Sequence, residues 1–128
     1  MERLLKEQSR LKARAAELGM ACARLQAAGF APRQGNICVF DSVLDEIALR
    51  ELVNMLAERC SGLAAAFSGD GAGGYRYIIG SRHADLRAAA KKINAGIDGR
   101  GGGSPEMIQG RAAASREKIQ RFMDTLNV

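Results

Sequence analysis

The sequence contains no tryptophan, two prolines, one histidine and three cysteines, and only 5% of its 128 residues are aromatic. A single histidine excludes a zinc site drawn mainly from imidazoles within one chain. Cys22, Cys38 and Cys60 are odd in number and widely spaced, with no CxxC pair among them. They are expected as buried free thiols that pack as small hydrophobes in a reducing compartment. No apolar run approaches the roughly 20 residues needed to cross a bilayer. The N-terminus alternates charge with leucine and lacks the uninterrupted apolar stretch of a secretion signal. A cytoplasmic chain without a membrane span is expected, and no cofactor or metal site is expected in it. With 47% hydrophobic and 26% charged residues, the composition excludes disordered and collagenous chains. Its length suffices for one core.

The charge is uneven. Residues 1–28 carry six basic and three acidic groups, residues 29–73 three and six, and residues 74–128 ten and five. Positive charge concentrated in one half of the chain favours a polyanionic partner, although charge speaks to association and not to fold.

Residues 2–28 read as one long helix. Leu4, Leu11, Leu18 and Leu25 recur every seven residues, with Met1, Gln8, Ala15 and Cys22 at the complementary seam positions. That period is a coiled-coil seam through which residues 1–30 would form an arm and pair with a second copy. Packing of the same helix on the body, or on a partner upstream of it, is the alternative. After Gly29 and the Pro32 connector, Asn36–Phe40 reads as a buried strand. Ser42 and Asp45 form a capping box for a helix to about Cys60. Leu63–Phe67 and Tyr75–Ile79 are further strands, expected as a hairpin around a wide, mobile glycine-rich loop. A helix follows from about His83 to Ala95, capped by Ser81. Ser104 and Pro105 read as N-cap and first residue of a short helix that Gly110 stops, and a last helix begins near Ser115. The fold class is α/β (α+β): a small mixed sheet of about three or more strands with packed helices, preceded by a long N-terminal helix.

The segment with the most chemical content is residues 97–110. Gly99, Gly101, Gly102 and Gly103 would let a ligand approach the backbone closely. A helix starting at Ser104 would turn its free N–H groups and positive dipole end toward an anion. A flexible connection is the plain alternative. Arg100 lies inside the loop. Arg76, Arg82, Lys91 and Lys92 would add cationic surface if the sheet gathers them around it, with a solvated face the preferred reading for Lys91, Lys92, Arg116, Lys118 and Arg121. Tyr75 and Tyr77 share a strand face and read as core or edge packing, with base stacking the alternative. Ser81, His83 and Asp85 read as a helix start and not as a converging triad; of the clustered carboxylates Asp41, Asp45 and Glu46, helix capping accounts for Asp45, and no second acidic cluster completes a metal site.

The run Gly101-Gly102-Gly103-Ser104-Pro105-Glu106-Met107-Ile108-Gln109-Gly110 resembles the Gly-Gly-Gly-Arg-Pro-Asp-Met-Ala-Gln motif in the C-terminal DHH-associated domain of alanyl-tRNA synthetases. The same domain closes the long AlaX-type alanyl-tRNA editing proteins. The resemblance covers residues 36–128. It departs at Ser104, where the synthetases usually carry arginine. It implies a tRNA-binding and dimerising domain for tRNA(Ala), with no catalytic site of its own. Nucleic-acid contacts would fall on Gly99, Arg100, Gly101, Gly102, Gly103 and Ser104, with Arg82, Arg76 and Lys91 beside them. In that family the editing zinc centre uses His-x3-His and Cys-x3-His motifs. Neither occurs here, so editing chemistry would lie in a part of a parent protein outside these residues. The alternative is the nucleotide- or oligonucleotide-gripping domain of a DHH-family phosphoesterase, whose Gly-Gly-Gly-His motif has a histidine where Ser104 stands.

Overall fold

The computed structural model describes residues 2–32, 34–42, 44–69 and 74–126, with side chains from residue 6 onward. Met1, the Leu4 side chain and the tip of the glycine-rich loop at 70–73 lie outside the described residues.

The chain runs α1 (Glu2–Ala28), β1 (Ile37–Asp41), α2 (Glu46–Ala57), β2 (Ala64–Ser68), β3 (Tyr75–Gly80), α3 (Leu86–Ile97), β4 (Gly99–Gly103), β5 (Met107–Ala112), α4 (Arg116–Thr125). The five strands form one mixed sheet in the order β1-β2-β3-β5-β4. β1 and β2 are parallel, joined through α2, and the other neighbours are antiparallel. Because side chains alternate across a strand, the small apolar run of β2 feeds two cores. Ala64 and Ala66 meet α2 and the end of α1, while Ala65 and Phe67 meet α3 and α4. Three layers result, with α1 and α2 on one face of the sheet and α3 and α4 on the other.

The helix starts differ from the expected ones. Asp45, not Ser42, caps α2 by accepting from Ala48 N at 2.8 Å. Asp85 caps α3 in place of Ser81, and the helix begins three residues after His83. Ser81 is buried in the preceding turn, where its hydroxyl donates to Gly62 O and accepts from His83 N and Ala84 N. A short side chain that already closes one turn has no lone pair directed at the next. Ser115 caps α4 as expected, accepting from Lys118 N. Asn36 ties the far end of α4 to the sheet: its Nδ2 donates to Met123 O and Leu126 O, and its Oδ1 accepts from Leu63 N.

The largest departure is at residues 104–112. No helix begins at Ser104. Ser104–Met107 is a tight turn, with Ser104 N donating to Met107 O at 3.0 Å, and β4 and β5 flank it as an antiparallel hairpin. Pro105 supplies the fixed φ of the second turn residue rather than of a first helical one. The reason is tertiary. β5 lies between β3 and β4, pairing with both along most of its length, which no helix can do.

In α1 only the last third is packed. Ala23 and Ala27 are buried against α2, and Gln26 donates to Asp41 at 2.9 Å. Residues 6–18 are exposed, including Leu11 at 64% and Leu18 at 60%, and beyond them Leu25 at 73%. The helix therefore packs on the body through its small residues, while the described leucines of the seven-residue repeat face away. Cys22 is exposed with them, contrary to the expectation of buried thiols. Cys38 is half-buried and Cys60 buried.

Candidate nucleic-acid interface

The glycines of 99–103 form β4, a strand at the edge of the sheet. Its glycine content has two origins. A Cβ at Gly101 would meet Gln109 O and the Tyr77 hydroxyl, and one at Gly99 would meet Arg111 O and Asn94 Oδ1 at 2.9 Å. One at Gly103 would meet Met107 O. These positions are glycine because strand and core press against them. Gly102 differs: a Cβ there meets nothing within 4 Å. It is the point on β4 where a ligand can reach bare backbone.

Behind β4 stands a hydrogen-bonded relay. The Tyr77 hydroxyl donates to Asn94 Oδ1 at 2.7 Å, and Asn94 Nδ2 donates to Gly101 O at 3.2 Å. Burial pushes the Tyr77 phenol above its usual range, so it remains a neutral donor. Both tyrosines belong to the core, with Tyr75 packed edge-on against Phe40. Neither ring is open to a base.

Without a helix at Ser104 there is no dipole end behind the glycines, and attraction for an anion falls to side chains. Arg76 on β3 is the register partner of Arg111 on β5, which is the register partner of Arg100 on β4. Register partners share a face, so three arginines form one row across three adjacent strands. The row lies on the α2 side, over the half of the sheet that α2 leaves open. Like charges directly opposite one another destabilise a sheet. Only Arg76 is relieved, by Glu46 at 3.7 Å in a half-exposed ion pair. Arg100 and Arg111 are exposed and have no ion-pair partner among the described residues.

Two further residues extend this face. Arg50 on α2 donates to Gln109 Oε1 at 2.7 Å, and Gln109 is the register partner of Gly102. The open floor thus runs from the arginine row past bare Gly102 to a fourth guanidinium. It continues into a groove of about 470 Å³ lined by Arg50, Asn54, Arg82, Ser104 and Glu106. Arg82 sits there in an exposed ion pair with Glu58 at 3.2 Å. Lys91 is set apart, because α3 covers the opposite face of the sheet.

Of the residues singled out from sequence, Arg76, Arg100, Gly102, Arg82 and Ser104 therefore share the α2-side surface. Gly99, Gly101 and Gly103 shape its edge, and Lys91 lies behind it. Arg111, Arg50 and Gln109 were missed. The signal for Arg111 is the alternation Met107, Gln109, Arg111 against Ile108, Gly110, Ala112, a period of two that a helical reading of the segment conceals.

The Ser81, His83 and Asp85 side chains do not converge. Ser81 is spent on its turn, and Asp85 accepts from Arg87 N and Ala88 N. Among the described residues no group of three or more His, Cys, Asp or Glu is placed to hold a metal ion. No described helix is long and apolar enough to cross a membrane.

Residues 34–127 match the DHHA1 domain family. Among solved structures, the fold is similar to the C-Ala domain of alanyl-tRNA synthetase from Aquifex aeolicus. The TM-score is 0.53 at 20% identity, over 70% of this chain and 86% of that one. No curated protein matches the sequence.

Proposed function

This chain belongs to the DHHA1 domain family, and from that premise we infer that it is a non-catalytic RNA-binding module that takes up tRNA on the open α2-side face of its sheet. The observation that carries this reading is the arginine row. Arg100 and Arg111 face each other across two strands without a carboxylate between them, an arrangement that costs stability in the free protein and is relieved by a bound polyanion. Their planar guanidinium forks suit the oxygens of a phosphate. Gly102, with no side chain beside them, lets a sugar–phosphate backbone lie close to the strand. The likeness to a domain of an alanyl-tRNA synthetase supports tRNA, and tRNA(Ala) in particular, as the RNA. In this reading the exposed leucines of α1 pair two copies through the arm.

The test is tRNA(Ala) binding across a salt series. Each phosphate neutralised contributes nearly one to the slope of log affinity against log salt. Arg100→Gln with Arg111→Gln is expected to lower that slope by about two and to leave the unfolding midpoint the same or higher. An unchanged slope removes the sheet face from the interface. Equal affinity for an unrelated tRNA would leave RNA binding standing and remove the preference for tRNA(Ala).

A further inference from the structure

We propose that the projecting arm is a second RNA-binding surface, on which Lys6, Arg10 and Arg14 form a ladder of cations for the phosphates of the same RNA; the proposal rests on the RNA-binding reading above. The three residues recur every four positions, so they stack along one side of α1 at a rise of about 6 Å per step. All three are exposed and none is ion-paired among the described residues. At 100° per residue their stripe lies roughly 120° from the Ala23–Ala27 face packed on α2, and roughly 80° from Leu11, Leu18 and Leu25. It is therefore free of the body, and pairing through the leucines would leave Lys6 and Arg10 facing outward, with Arg14, one heptad after Glu7, at the rim of the seam.

The like-charge pairs Lys6–Arg10 and Arg10–Arg14 each cost a little helix stability, which Glu7 three residues before Arg10 and Glu17 three residues after Arg14 offset. Glu7 borders the seam, and Glu17 closes the stripe at its body end. Position completes the argument. Gly19 of α1 lies against Ala48 near the start of α2, and Lys12 shares a cleft there with Leu44 and Asp45. On the other side of that same helix start, Glu46 holds Arg76 of the arginine row. The two carboxylates between the cationic sets are engaged, Asp45 as the α2 cap and Glu46 with Arg76. The root of the arm and the arginine row thus both adjoin the start of α2.

The experiment compares tRNA binding by the full chain, Lys6→Gln/Arg10→Gln/Arg14→Gln, and the charge-keeping Lys6→Arg/Arg10→Lys/Arg14→Lys. Glutamine is a good helix former, and unchanged far-ultraviolet circular dichroism and oligomeric state would confirm that the arm is intact. The expected result is a slope of log affinity against log salt reduced by about three in the glutamine variant and parental in the charge-keeping one. If the parent binds tRNA and loses slope on Arg100→Gln/Arg111→Gln while the arm variant keeps the parental slope, the arm proposal is overturned and the sheet reading stands. If the parent does not bind tRNA, both are overturned.

Discussion

A methyl group added at Gly101 would meet the Gln109 carbonyl and the Tyr77 hydroxyl, whereas one added at the next residue would meet nothing. Two neighbouring glycines of one motif are thus held by different requirements. Gly101→Ala is expected to lower stability by about 1–3 kcal/mol through overpacking, read as a lower urea midpoint. Gly102→Ala should instead raise stability by up to about 0.5 kcal/mol, since alanine loses less backbone entropy in a strand. Gly102→Val should keep the fold and weaken tRNA binding, because its branched side chain occupies the floor beside Arg100. A valine variant that binds as the parent does would mean that the RNA never approaches this strand. Identical losses of stability at both glycines would show that packing alone accounts for the motif.

At the scale of elements, β4 is held to the rest of the fold by its ladder to β5 and by the relay from Tyr77 on β3 through Asn94 on α3. The relay has a pH signature. Burial raises the Tyr77 phenol in the folded state, so on alkaline titration the unfolded chain ionises first, near pH 10. The stabilisation is full below about pH 10 and is lost as pH rises through the folded value. Tyr77→Phe is expected to cost about 1–2 kcal/mol at neutral pH, from the lost hydrogen bond and the Asn94 carbonyl left without its donor. It should also flatten the fall of the urea midpoint above about pH 10. If the parent shows no such fall beyond that of the phenylalanine variant, the relay does not report on protonation.

The same elements show what was legible in the sequence. β1, β2, β3 and α4 follow from apolar runs and one serine cap, signals contained within a few residues each. β4 was opaque because a strand of glycines has no side-chain alternation to read. Ser104-Pro105 is equally good chemistry for a helix start and for a turn, and only the pairing of β5 with β3 decides between them. The interface shared this fate. Arg100 could be singled out from its place in the motif, but its partnership with Arg111 exists only once the hairpin closes.

For the whole molecule, association turns on a mismatch between α1's repeat and its packing. The body takes the small face of the helix, at Ala23 and Ala27, and leaves Leu11, Leu18 and Leu25 in solvent. In a lone chain those leucines contribute little, and replacing them should change stability by no more than about 0.5 kcal/mol. In a pair joined through the seam they would be buried knobs. Their loss would then abolish association and make the melting temperature independent of protein concentration. Leu11→Gln/Leu18→Gln, which adds no charge to the arm, separates these cases. Light scattering over a dilution series is expected to show a dimer for the parent and a monomer for the variant, with parental circular dichroism for the body. A parent that stays monomeric at all concentrations would leave the leucine repeat without a second copy to meet. Pairing would also bring the basic stripes of two arms into one assembly. The affinity of the dimer for tRNA should then exceed that of the leucine variant through effective concentration alone, even though no leucine touches RNA.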